Sequence, residues 1–213
     1  MELAPALLGL RLMRESAEGR SGGLIVETEA YGGPEDRASH ARAGHTRRTA
    51  PMFGPPGHAY VYLIYGLHSC LNVVAEAEGV AGAVLIRALR PVLGLEMIRA
   101  RRGRPRDADS VLAAGPARVC QALAVDRSLD GHDLTRGEAL WIEEPGGDGP
   151  ERLLTSGVLS GRIIAGPRIG VAYAGEGWAE RRWRFGVAGD PSLSRPFPPL
   201  SRPSPSSSRP DGR

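Results

Sequence analysis

Two runs of strand-like residues meet at Tyr65-Gly66, and that junction limits the fold of this chain more than any other feature. Tyr60–Tyr65 and Leu67–Val74 both read as strands, and Gly66 permits the positive φ that a tight reversal needs. An antiparallel hairpin about Tyr65-Gly66 is therefore expected. Three of the five tyrosines, Tyr60, Tyr62 and Tyr65, fall within this short run. Tyr60 and Tyr62 are two apart and share a strand face, whereas Tyr65 falls where the chain turns. A tyrosine at an exposed tip is badly placed for a core and well placed to wedge into a partner. The plain alternative is an ordinary packed aromatic strand.

Upstream, L-I-V-E-T-E-A-Y (24–31) also alternates. Strand spacing places Ile25, Glu27, Glu29 and Tyr31 on one face, just before the turn-like G-G-P-E-D at 32–36. Carboxylates on an inner strand are costly unless they are paired or catalytic. A solvent-facing edge strand is the competing reading.

Coarse periodicity orders the rest. A short helix and then a strand are expected over Ala4–Met13, and a strand over Gly22–Tyr31. A polar loop rich in arginine and histidine fills Gly32–Phe53, long enough that function is its expected reason. Ala83–Leu89 reads as a strand in which Arg87 alternates with Ala83, Leu85 and Leu89. Pro91 sits where a helix would begin, running to about Arg102, with a charged loop over Gly103–Asp109. Gly115-Pro116 opens a second helix to about Ala124. Ala139–Glu143, Arg168–Tyr173 and Arg182–Val187 read as strands. No internal repeat is evident. From Pro196 to Arg213 the sequence is rich in proline, serine and arginine, and a disordered tail is expected there after a single domain over 1–195.

Composition excludes several classes. A chain of 213 residues, 41% of them hydrophobic, fits one globular domain with a good core. No apolar run reaches membrane-span length, and M-E-L-A-P lacks the basic start of a signal peptide. Cys70 and Cys120 make no disulfide framework and read as reduced thiols. The histidines are scattered, so no metal and no cofactor is expected. All 27 basic residues are arginine, and the net charge is +3. Arginine suits phosphate and base contacts, although GC-rich codon usage also explains the absence of lysine.

These segments together resemble the alkyladenine (3-methyladenine) DNA glycosylase family. The resemblance is carried by V-E-T-E-A-Y (26–31), G-P-E-D with His40 beyond it, R-x-x-x-M-F (48–53), and P-G-H-A-Y-V-Y-L-I-Y-G-L-H (56–68) with Asn72. It continues through L-I-R-A-L-R-P (85–91), G-P-A-R-V-C-Q-A-L (115–123) and G-P-R-I-G-V (166–171). It spans about Leu3 to Arg195. It implies a mixed α/β (α+β) domain with a curved, largely antiparallel sheet, surrounding helices and a DNA-intercalating hairpin. The implied partner is double-stranded DNA containing damaged purines, bound by a monomer. A cytoplasmic, nucleoid-associated, bacterial-type protein that is not secreted is expected.

Excising a base means breaking the bond from C1′ to the purine through an oxocarbenium-like state, after the nucleotide has left the helix. The resemblance implies that Glu29 is the general base, with Arg87 beside the catalytic water. Glu27 reads as structural or as a charge partner. Tyr31 and His40 would sandwich the flipped base, Tyr62 would close the pocket edge, and Asn72 would crowd the 2-amino group of normal guanine. Tyr65 would fill the gap left in the duplex, and Arg48, Gly66 and His68 would touch DNA. Without lysine there is no side-chain amine for a Schiff base, so hydrolysis by water is expected. Two positions depart from the family pattern: Thr49 stands for its usual Asn, and Gly177 reads as an insertion. The alternatives are a non-catalytic lesion-binding module and a hydrolase of free nucleosides; a projecting Tyr65 argues against the second.

Overall fold

A computed structural model describes residues 2–146 and 162–198. Among the described residues there are eight strands: β1 Arg11–Ser16, β2 Gly19–Tyr31, β3 Ala59–Ile64, β4 His68–Val74, β5 Ala83–Leu93, β6 Leu140–Glu143, β7 Ile163–Gly166 and β8 Arg184–Val187. Four helices accompany them: α1 Leu3–Ala6, α2 Leu95–Arg102, α3 Asp109–Leu112 and α4 Pro116–Ala122. The strands form one curled antiparallel sheet in the order β3-β4-β5-β2-β1-β6. β8 joins β2 beyond the end of β1 and carries β7 on its other edge. The fold is mixed α/β in a single domain, as the resemblance implies.

β2 is the spine of this sheet. It pairs with β5 along one edge and with β1, then β8, along the other, so its middle has neighbours on both sides. That excludes the edge-strand reading of V-E-T-E-A-Y, and Glu27 and Glu29 are both 0% exposed. Register slips on both strands: between Ile25 and Glu27 the extra residue is Val26, and between Glu27 and Thr28 it is Arg87 across on β5. Bulges re-aim side chains. Here Arg87 stays with Ala83 and Leu85 on the cavity side, while Leu89 joins the main core, so the simple alternation expected for these four breaks at the bulge.

Apolar faces on both sides of the sheet assemble the core. Helix α4 covers β4 and β5, and α2 packs on α4, burying Ile98, Val119 and Leu123 against Leu71 and Ile86. Full burial of each such side chain stabilises the fold by about 1.5–3 kcal/mol.

Two expectations are corrected. Pro91 does not open a helix; β5 runs on to Leu93, and Gly94, at φ 71°, turns the chain into α2. Strand β4 pairs with β5 only at Ala83–Leu85, so Pro91 lies where a missing N–H breaks no inner ladder. Arg168–Tyr173 is not a strand. The strand ends at Gly166, because Pro167 lacks a ladder donor and the Arg168 side chain turns inward. The packed chain also reaches beyond 195: Arg184 donates to the carbonyls of Arg195 and Pro196, and its guanidinium lies 3.7 Å over the Phe197 ring. Residues 199–213 of the expected tail lie outside the described residues.

Candidate active site

Glu29 sits mid-strand under a cavity. Its Oε1 accepts from the Ile169 amide at 2.7 Å. Its Oε2 accepts from the Tyr31 hydroxyl at 2.9 Å and from Arg87 Nη1 at 3.2 Å. Burial raises the Glu29 carboxyl above its ordinary value, against the pull of Arg87, the Ile169 amide and the Tyr31 hydroxyl. All three groups are donors and so address the carboxylate. Three donors on about four lone-pair positions leave one on Oε1 unfilled among the described residues. Burial also drives the Tyr31 phenol well above its ordinary value, with Glu29 adding to the shift, so Tyr31 remains a donor.

Arg87 is shared. Its Nε donates to Glu27 Oε1 at 3.3 Å and its Nη2 to Ser194 Oγ at 3.3 Å. Glu27 also takes Arg184 Nη1 at 3.1 Å. Two carboxylates and two guanidiniums thus balance in charge, which a buried cluster requires. Burial disfavours the Arg87 cation, but Glu29 and Glu27 outweigh that and hold its pKa above the ordinary value. Glu27 is a charge partner, as the sequence suggests, while Arg87 serves both glutamates rather than Glu29 alone.

Above this floor is a cavity of about 600 Å³ whose walls include Tyr31, His40, Tyr60, Tyr62, Asn72 and Arg87. Glu29 lies beneath the wall, covered by Tyr31 and Arg87. The His40 and Tyr62 rings meet edge to face, 4.5 Å apart at 84°. His40 Nδ1 is 3.0 Å from the Tyr60 hydroxyl and Nε2 is 3.4 Å from Arg48 Nη2. Arginine only donates, so Nε2 is the acceptor and Nδ1 carries the proton. Burial first, then the Arg48 charge, lowers the His40 pKa to about 4. Asn72 pairs across the ladder with Tyr60 and donates from Nδ2 to its carbonyl at 3.0 Å.

The rim is the β3–β4 tip. Tyr65 at φ 53° and Gly66 at φ 69° both lie in the left-handed region, and the Leu67 amide closes onto the Ile64 carbonyl at 3.1 Å. This is the type I′ pattern that matches strand twist. Tyr65 is 88% exposed and Leu67 76%. Gly66 and Arg48 belong to the cavity mouth, and Arg48 lies 5.8 Å over the Tyr62 ring. His68 is exposed on β4 and is not part of the cavity wall.

Several residues of this site escaped the sequence reading. Arg168 and Asp36, both fully buried, form a two-pronged ion pair at 2.6 and 2.9 Å. Arg168 also lies 4.8 Å over Tyr31 and 4.9 Å over Trp183, and so fixes the loop that delivers the Ile169 amide. Asp36 was visible in G-P-E-D and Arg168 in G-P-R-I-G-V, yet nothing local joins them. The Thr49 departure is structural: its hydroxyl donates to the Gly44 carbonyl at 2.7 Å, and it is buried beside exposed Arg48. Gly177, at φ 77°, sits in an exposed turn closed by Glu180, away from the cavity. Among the described residues no cluster of His, Cys, Asp or Glu could hold a metal, and no helix is long and apolar enough to cross a membrane.

Residues 1–191 match the family model described as methylpurine-DNA glycosylase. The chain is 44% identical over 201 residues to the DNA-3-methyladenine glycosylase of Mus musculus, an alignment covering 90% of this chain and 57% of that protein. It is 45% identical over 196 residues to the DNA-3-methyladenine glycosylase of Arabidopsis thaliana, covering 92% and 70%. A provisionally named 3-methyladenine DNA glycosylase of Methanocella arvoryzae is 44% identical over 198 residues, covering 93% and 92%. Agreement over so much of the chain is not confined to a motif: the chain belongs to the methylpurine-DNA glycosylase family and is a DNA N-glycosylase.

Proposed function

We propose that this enzyme turns damaged purines out of duplex DNA and hydrolyses their N-glycosidic bond with water activated by Glu29. The observation that carries this reading is a buried carboxylate with three fixed donors and one open position, set beneath an aromatic cavity. A water at that position would lose its proton to Glu29 as it attacks C1′, and the carboxylate would also stabilise positive charge on the sugar. Arg87 holds Glu29 in place and favours its charged form against burial. Tyr31, His40 and Tyr62 offer ring faces and edges to a flat base, and a cationic alkylated base gains cation–π attraction. Asn72 restricts the pocket against normal guanine, and Tyr65 takes the vacated place in the duplex. Arg48, Gly66 and His68 meet the DNA around it.

The substrate class is 3-methyladenine, 7-methylguanine, hypoxanthine and ethenoadenine. Cationic bases leave without a proton. Neutral His40 offers none near pH 7, so neutral lesions depend on another donor. The chain has no lysine, so the product is an abasic site with the strand intact. The enzyme is proposed to act as a monomer in the cytoplasm.

The test is single-turnover excision from two duplexes, one with hypoxanthine and one alkylated at adenine N3, using wild type and Glu29→Gln. Glu29→Gln is expected to bind both duplexes while excision slows by about 10²–10⁴-fold. Wild-type turnover in the variant would remove Glu29 from the mechanism.

A further inference from the structure

We infer that Ser194, carried by the turn after β8, is a positioning residue for the glycosidic step. This rests on Glu29 being the base. Ser194 Oγ accepts from Arg87 Nη2 at 3.3 Å and donates to Glu27 Oε1 at 2.9 Å, while its amide donates to Glu27 Oε2 at 2.6 Å. It therefore bridges Arg87 and Glu27, and with Glu27 it fixes Arg87 on the side away from Glu29. Remove the hydroxyl, and Arg87 loses one of its three side-chain partners and Glu27 loses a donor.

The turn that carries Ser194 is tied at three further points. Asp190 pairs with Arg90 on β5 and accepts from the Ser192 amide at 2.8 Å. Arg184 donates to the Arg195 and Pro196 carbonyls at 3.3 and 3.0 Å. The Phe197 ring lies so close to the backbone that a Cβ on Gly186 would be 2.8 Å from it. A segment remote in sequence is thus held rigidly enough to set the Arg87 guanidinium, which in turn sets the Glu29 carboxylate. Apart from Arg87, none of these residues lines the cavity, so Ser194 acts on the chemistry through Arg87 and not on DNA binding.

The groups facing Glu29 are Arg87 from β5, Glu27 and Tyr31 from its own strand, Tyr62 from β3, Cys70 from β4, and the Ile169 amide and Tyr173 from the loop after β7. Of these, Arg87 is the cation that opposes burial at Glu29, and removing the Ser194 hydroxyl loosens Arg87 while taking one donor from Glu27.

The experiment compares Ser194→Ala, Ser194→Thr, Glu29→Gln and wild type in single-turnover excision of an N3-alkylated adenine duplex across pH, with melting temperature measured alongside. Ser194→Ala is expected to slow the saturated rate about five- to tenfold at unchanged half-saturating enzyme concentration, the effect of one weakened buried hydrogen bond. Its acid limb should move to higher pH, because a looser Arg87 opposes the burial of Glu29 less. Ser194→Thr, which keeps the hydroxyl, should restore both. A lower melting temperature with a wild-type rate and limb per folded molecule would make Ser194 merely structural and overturn the proposal. If Glu29→Gln is inactive while Ser194→Ala is wild type, positioning fails and the Glu29 reading stands. If Glu29→Gln is itself active, both fall.

Discussion

Replacing Asp36 by alanine would strand the Arg168 guanidinium inside the protein. Both side chains are 0% exposed, and Asp36 is the only carboxylate shown bonded to Arg168 among the described residues. Breaking a buried pair from one side costs about 3–5 kcal/mol, since the remaining charge is uncompensated. The amides of Gly32 and Ala38 would lose their acceptor too. For a domain of this size about 2–4 °C of melting temperature accompanies each kcal/mol, giving a fall of roughly 6–20 °C. Thermal and urea denaturation at pH 7 measure this, and Asp36→Asn, which keeps the shape without the charge, should fall between.

The pH dependence gives a second handle. Burial alone would raise the Asp36 carboxyl, but Arg168 and the Gly32 and Ala38 amides outweigh it and hold the pKa below its ordinary value. A depressed folded pKa means stabilisation that is complete above the unfolded value of about 3.9 and is lost as pH falls through the folded value. The gap between wild type and Asp36→Ala should therefore narrow below about pH 4. A loss under about 1 kcal/mol at pH 7, or a gap that widens in acid, would refute the reasoning.

Other outcomes follow from the rim and the wall. Tyr65 holds a left-handed backbone at φ 53° that costs a tyrosine about 1 kcal/mol and an asparagine less, so Tyr65→Asn should melt at or above wild type. The same variant should bind an abasic-analogue duplex more weakly; unchanged affinity would sink the wedge. His40, lowered to about 4 by burial and by Arg48, should show no NMR titration between pH 5.5 and 7.5. Its neutral form stabilises fully above about pH 6.5 and loses that effect as pH falls toward the folded value. Arg48→Met should raise the midpoint, and a wild-type midpoint at 6.5 or higher would contradict the buried, arginine-facing geometry.

Much of the fold was legible because periodicity is local. The alternation through Tyr60 and Asn72 marks the hairpin, and Gly115-Pro116 marks the start of α4. Pro91 misled for the same reason: a proline before a helical pattern looks like a helix start, and only the retreat of β4 from β5 explains a proline inside a strand. G-P-R-I-G-V misled as a strand because its apolar spacing hides an arginine that must reach a carboxylate 132 residues away.

The sequence by itself determined which groups were available: Glu29 with Glu27 and Tyr31 on one strand, an aromatic hairpin with a glycine at its tip, and no lysine for amine chemistry. Tertiary structure alone decided what those groups became. Strands on both edges of β2 took the water away from Glu27 and Glu29, and paired bulges turned Arg87 toward both. Ile169, Arg184 and Ser194 arrived from distant segments to supply the compensating charge and donors, and Arg168 did the same for Asp36. The physical reason is desolvation. A buried carboxylate keeps its charge only through donors fixed in space, and spacing along the chain carries no record of donors that come from elsewhere.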